Sequence, residues 1–98
     1  MSSKYGLKFL PTAFKEWNKL DSSIQRQLKK KLKERLQEPH VPASRLHSFE
    51  NHYKIKLRAS GYRLVYEIIE SEILVLVIAV GKRDKHLIYQ KAAKRKKG

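Results

Sequence analysis

Three runs decide how this chain folds: Tyr53-Lys-Ile-Lys-Leu-Arg58, then Tyr62-Arg-Leu-Val-Tyr-Glu-Ile-Ile69, then the apolar residues 73–80. In the first run Tyr53, Ile55 and Leu57 point one way while Lys54, Lys56 and Arg58 point the other, the period-two pattern of a half-buried strand. Ala59-Ser60-Gly61 reads as a turn. The return strand sends Tyr62, Leu64, Tyr66 and Ile68 to one face and Arg63, Val65, Glu67 and Ile69 to the other. Glu70-Ser71-Glu72 turns once more, and the unbroken apolar character of residues 73–80 predicts a strand covered on both faces. Gly81 reads as its breaker, with Lys82-Arg83-Asp84 as a loop. Three consecutive strands joined by short turns make an antiparallel meander.

Upstream the period changes. Residues 4–10 alternate well enough for a first strand, weakened by Gly6. Pro11-Thr12 opens a helix with Ala13, Phe14, Trp17 and Leu20 on its apolar side. After the break at residues 21–23, Ser22 followed by Gln25 matches a capping box for a second helix. There Ile24, Leu28, Leu32 and Leu36 recur every fourth residue as an apolar stripe, and Arg26, Lys29, Lys30 and Lys33 fall opposite. Lys31 and Arg35 lie beside the stripe and can lay their methylenes along it. The basic face suits nucleic acid, and it equally suits plain solvent exposure. Pro39 and Pro42 end the helical part, residues 38–52 read as a loop, and residues 86–96 can form a closing helix. The predicted fold is α+β, one domain over residues 1–98: a strand, a two-helix hairpin, the meander and a C-terminal helix.

Composition narrows the chemistry. The 98 residues carry 23 Lys and Arg against nine Asp and Glu, a formal charge of +14, and are 41% apolar, enough for a packed core. The excess is even: residues 1–49 hold 11 basic and four acidic residues, residues 50–98 hold 12 and five. Such a field attracts polyanions, with nucleic acid and acidic proteins the leading candidates. The longest apolar run has eight residues, against roughly 18 to 20 for a membrane span. The N-terminus lacks the apolar stretch of a secretory signal. With no cysteine there is no disulfide and no thiolate metal site, which fits a reducing cytosol. His40, His47, His52 and His86 lack helical i, i+4 pairing, so surface or structural roles are expected for them. No P-loop, dinucleotide fingerprint or nucleophile elbow occurs. Neither metal nor organic cofactor is expected.

One constellation remains. Lys54 and Lys56 share a strand face, roughly 7 Å apart along it. Arg63 opens the next strand, Arg83 follows the end of the apolar one, and Tyr89 lies six residues further on. Four cations and a phenol suit a phosphodiester, whose cleavage gathers negative charge on oxygen in the transition state. Edge lysines also deter aggregation without doing chemistry. Spacing alone leaves the two readings level.

The segment from Tyr53 to Tyr66, with Val80-Gly-Lys-Arg83 and Tyr89, closely resembles the RelE family of bacterial toxins, and the similarity extends upstream through Phe14-Lys-Glu-Trp-Asn-Lys-Leu20 and Gln27-Leu-Lys-Lys-Lys-Leu32. The resemblance implies a microbial-ribonuclease-like α+β fold and a toxin of a type II toxin–antitoxin pair. It implies an endoribonuclease that cuts mRNA in the A site of the 70S ribosome, in the bacterial cytoplasm. Its functional positions fall here on Lys54, Lys56, Arg63, Arg83 and Tyr89. Arg26, Lys29, Lys30, Lys33, Arg45, Arg58 and Lys82 are expected to contact RNA, including 16S rRNA. The implied partners are a RelB-like antitoxin and, through that complex alone, operator DNA; no membrane is involved. The resemblance gives Lys56 the part of base, Arg83 that of proton donor or charge clamp, Lys54 and Arg63 phosphorane stabilisation, and Tyr89 base stacking. A free lysine titrates near 10.4, so a lysine base at pH 7 costs about 4.6 kcal/mol to arrange. Charge stabilisation and orientation therefore carry more of the expected rate than the proton transfers. The rival readings are a non-catalytic RNA-binding module and a ParE-like toxin aimed at a protein.

Overall fold

The computed structural model describes residues 4–47 and 49–82. Strand β1 (Gly6–Phe9) leads into helix α1 (Pro11–Asn18) and helix α2 (Ser22–Gln37). A 3-10 turn at Pro42–Ser44 precedes β2 (His52–Lys56), β3 (Tyr62–Ile69), a second 3-10 turn at Glu70–Glu72, and β4 (Leu74–Lys82). The four strands form one sheet in the order β1-β4-β3-β2. The meander is antiparallel throughout, and β1 joins it parallel to β4 with Gly6 beside Leu74. The predicted α+β order holds over the described residues, and the closing helix expected at residues 86–96 lies outside them.

The core lies between α2 and one sheet face. Ile24, Leu28, Leu32 and Leu36 of α2 pack over Ile55, Leu64, Tyr66, Ile68, Val75, Val77 and Val80. A smaller apolar group, Val65, Ile78 and Ala79 with Leu10, Leu46 and Leu76 against it, occupies the other face. The alternation of β4 between the two faces is broken once. Val65 pairs with Ala79 while Tyr66 pairs with Val77, so Ile78 is the extra residue of a β-bulge.

Several local expectations are corrected. The N-cap of α2 is Asp21, with no side-chain capping bond, and Ser22 is already the first helical residue. Gln25 donates instead to Trp17 O at 2.7 Å, tying the two helices together. Phe14 is 50% exposed, its ring edge-on to Phe9 at 5.7 Å, and Ala13 takes the buried place in α1. Ile73 does not belong to the strand: it adopts φ 50° at the turn and is 55% exposed. Nor does Gly81 end β4, which runs on to Lys82.

Candidate functional site

On the sheet face turned away from the helices, the register lines up three rows of side chains across β2, β3 and β4. The first is Lys56, Arg63, Gly81; the second Lys54, Val65, Ala79; the third His52, Glu67, Leu76. Alternation along β2 puts Lys54 and Lys56 on this face for the same reason that it buries Tyr53 and Ile55 on the other. Lys56 stands directly opposite Arg63, a placement that brings the two Cβ atoms to about 5 Å and costs up to about 1 kcal/mol for like charges. Gly81 on the far side of Arg63 adds no side chain. The Arg63 Nε is buried without a hydrogen-bond partner. The face thus brings two basic side chains together, with one guanidinium nitrogen buried and unmet.

The backbone under Lys54 is held from behind. β2 is the outer strand, and the outward-facing carbonyl of Lys54 accepts a hydrogen bond from Arg35 Nη1 at 3.2 Å. The same nitrogen donates to Tyr66 Oη at 3.0 Å, and Arg35 Nη2 donates to Ser44 Oγ at 3.1 Å. Tyr66 in turn donates to Pro39 O at 2.7 Å and stacks on Tyr53 with ring centroids 5.7 Å apart. Arg35 thus reaches beyond the apolar stripe it flanks and pins the strand that presents the lysines. No sequence pattern signals this contact, because it joins residues 19 positions apart through the tertiary fold.

Burial pushes the Tyr66 phenol above its usual range, opposed by the hydrogen bond and charge of Arg35. A phenol whose folded-state pKa exceeds its unfolded value contributes stability below pH about 10 and loses it as pH rises through the folded value. Replacing Tyr66 with Phe is therefore expected to flatten the alkaline loss of stability above pH about 10, read as the urea midpoint against pH. An equally steep loss in Tyr66→Phe would remove Tyr66 as its source.

The other expected RNA contacts do not all join this face. Arg26, Lys29, Lys30 and Lys33 are exposed on α2, across the sheet from Lys54, Lys56 and Arg63. Arg26 and Lys29 rim a groove of about 300 Å³ floored by Leu7, Phe9, Trp17 and Leu32. Lys82 pairs with Tyr62 in register, and its ammonium lies 5.8 Å from the centre of that ring, on the helix side. Arg45 is exposed and bridges to Tyr53 beside β2, and Arg58 is exposed in the turn after β2. Arg83 and Tyr89 fall outside the described residues, as does His86. Glu67 lies on the face of Arg63 as its strand period predicted, and His52, expected in a surface or structural role, is buried opposite it, where strand alternation back from Lys54 puts it. No group of three or more His, Asp or Glu among the described residues is arranged to hold a metal ion.

Comparison with known proteins agrees with this fold. A family model described as the ParE toxin of type II toxin-antitoxin system, parDE, matches residues 7–87. The mRNA interferase toxin RelE of Escherichia coli K12 is 50% identical over 91 residues, 93% of this chain and 96% of RelE. The chain belongs to the RelE/ParE toxin family. Among solved RelE/ParE structures, a free E. coli RelE bearing two arginine-to-alanine substitutions superposes with a TM-score of 0.88 at 49% identity, covering 94% of this chain and 97% of that one. RelE in the intact E. coli RelBE toxin-antitoxin complex superposes with a TM-score of 0.80 at 51% identity, covering 83% of this chain and 99% of that one. The RelE/ParE assignment thus rests on similarity along nearly the whole chain. Among the described residues no helix is long and apolar enough to cross a membrane.

Proposed function

We propose that this toxin is a ribosome-dependent endoribonuclease that cuts mRNA in the ribosomal A site and is held in check by a RelB-like antitoxin. One observation supports this above the rest: Lys56 and Arg63 stand opposite each other on one sheet face with Lys54 one row away, in a chain half identical to an mRNA interferase. In the proposed reaction the ribose 2′-oxygen attacks the adjacent phosphorus as the bond from phosphorus to the 5′-oxygen breaks. The products are a 2′,3′-cyclic phosphate and a 5′-hydroxyl. Lys56 accepts the 2′-OH proton, and Arg83 donates to the leaving oxygen or clamps its charge. Lys54 and Arg63 neutralise the phosphorane, and Tyr89 stacks on a base to hold the linkage in line. Cations fixed on a rigid sheet act here chiefly by charge, strongest where charge develops. Alignment of the messenger falls to the ribosome, which explains why a site of such simple composition needs one. A ribosomal target places the toxin in the bacterial cytoplasm, and the antitoxin complex is the form that would reach operator DNA.

Mapping messenger ends on ribosomes programmed with a defined mRNA tests the proposal. New 3′ ends within the A-site codon, absent without ribosomes, are the expected result. An intact messenger with bound toxin would favour a non-catalytic RNA binder. Because the matching family model is described as ParE, a protein-targeting toxin is the second reading. Altered DNA topology with an uncut messenger would support it.

A further inference from the structure

Strand β4 outruns its parallel neighbour. β1 pairs with it only from Gly6 beside Leu74 to Phe9 beside Val77, and Leu10 N donates to Val77 O at 3.0 Å as the chain leaves the sheet for α1. β4 continues to Lys82, so among the described residues its outer edge past Val77 has no strand alongside. Backbone donors on such an edge must be met by other groups. The stretch leads into the proposed site. Gly81 stands next to Arg63 in the row that Lys56 begins, and Arg83 follows two residues later in the sequence.

Helix α1 closes this edge with a side chain. Ala13 is fully buried, and Glu16, three residues on, lies one turn further along the same side of the helix. Its Oε1 accepts a hydrogen bond from the Val80 N–H at 3.1 Å. A carboxylate is a strong acceptor for a backbone donor. Glu16 is half-buried and Val80 is buried, a setting in which a lost partner is costly. The carboxylate thus takes the place that a residue of β1 would hold if that strand were longer.

We propose that Glu16 is a positioning residue: by accepting the Val80 N–H it fixes the end of β4, and with it Gly81, against the row of Lys56 and Arg63. This deepens the reading of Lys56 and Arg63 as site residues and rests on it. Glu16 takes no part in the reaction in this scheme; it acts through the backbone at Val80.

The test compares single-turnover cleavage on programmed ribosomes by the wild type, Glu16→Met and Glu16→Gln, well below each thermal midpoint, with amide hydrogen exchange at Val80. Methionine keeps the length of the side chain and offers no oxygen; glutamine keeps an oxygen and gives up the charge. Glu16→Met is expected to cut about tenfold more slowly at saturating ribosomes, with the half-saturating ribosome concentration within about twofold of wild type, the pattern of a misaligned site. Its Val80 amide should exchange about tenfold faster or more. Glu16→Gln should stay within about threefold of wild type in both rate and exchange, a rescue that a role for the charge itself would not give. A Glu16→Met rate within about threefold of wild type overturns the proposal. So does a loss in Glu16→Gln as large as in Glu16→Met, and so does a slower Glu16→Met whose Val80 amide stays protected. Should Glu16→Met fail to fold, Glu16→Asp, one methylene too short to reach the same nitrogen, takes its place with the same expectations. Wild-type rates in both Lys56→Ala and Arg63→Ala strike at the reading of the site, and this inference falls with it; losses in those two with none in Glu16→Met overturn this inference alone.

Discussion

Lys56→Ala is expected to slow cleavage on programmed ribosomes by about 10²- to 10⁴-fold, the usual loss when a positioned proton acceptor is removed. The thermal midpoint of the variant shows whether the loss of rate comes with a loss of folding. Arg63→Ala should lose activity on the same scale, because the two side chains stand opposite each other at the proposed phosphate position. Lys56→Arg should not restore full rate, since a guanidinium stays protonated and spreads its charge over a wider plane. Single-turnover cleavage at saturating ribosomes, with melting curves on the same preparations, checks all three. A Lys56→Ala variant that cuts at the wild-type rate would remove the central residue of the proposed site.

Arg35→Leu carries the second large effect, on stability. The guanidinium donates to Lys54 O, Tyr66 Oη and Ser44 Oγ and lies 5.8 Å from the centre of the Tyr66 ring. Leucine keeps part of the apolar contact and none of the donors. Hydrogen bonds from a charged donor contribute about 1.5 to 3 kcal/mol, and leaving the outward carbonyl of Lys54 and the phenol of Tyr66 short of a partner adds to the loss. A fall of about 3 kcal/mol is expected, or a melting point lower by about 12 to 24 °C in a domain of this size. Denaturant titration of Arg35→Leu measures it, and a loss below about 1 kcal/mol would show that the network adds little. Cleavage should also weaken, because the strand edge that aims Lys54 loses its anchor.

The two halves of the chain were not equally legible. In β2 and β3 one face is apolar and the other charged, so a period of two assigned every side chain and brought Lys54, Lys56 and Arg63 to one surface before any coordinates. In β4 both faces are covered. A run of Leu, Val, Ile and Ala then has no period, and nothing in it marks Ile78 as the odd residue. Gly81 looked like a terminator because glycine usually interrupts strands, yet here it completes the row beside Arg63. Ile73 was counted with the strand for its hydrophobicity, while the turn demanded a left-handed backbone that a β-branched residue seldom adopts. The capping box failed because Ser22 lies one position inside the helix and Gln25 found the Trp17 carbonyl within reach. Arg35 drew its part from neighbours distant in sequence, which no local pattern records.

The surplus residue at Ile78 has a bearing on which side of the toxin meets its victim. Counting by twos from Val75 would hide Ala79 and Gly81 beneath the helices and turn Val80 outward. With the strand one residue out of step, Val80 instead joins Leu64 in the oily interior and Gly81 lies bare next to Arg63. An uneven tally along a single strand thus keeps a bulky aliphatic group off the ground beside the proposed phosphate site.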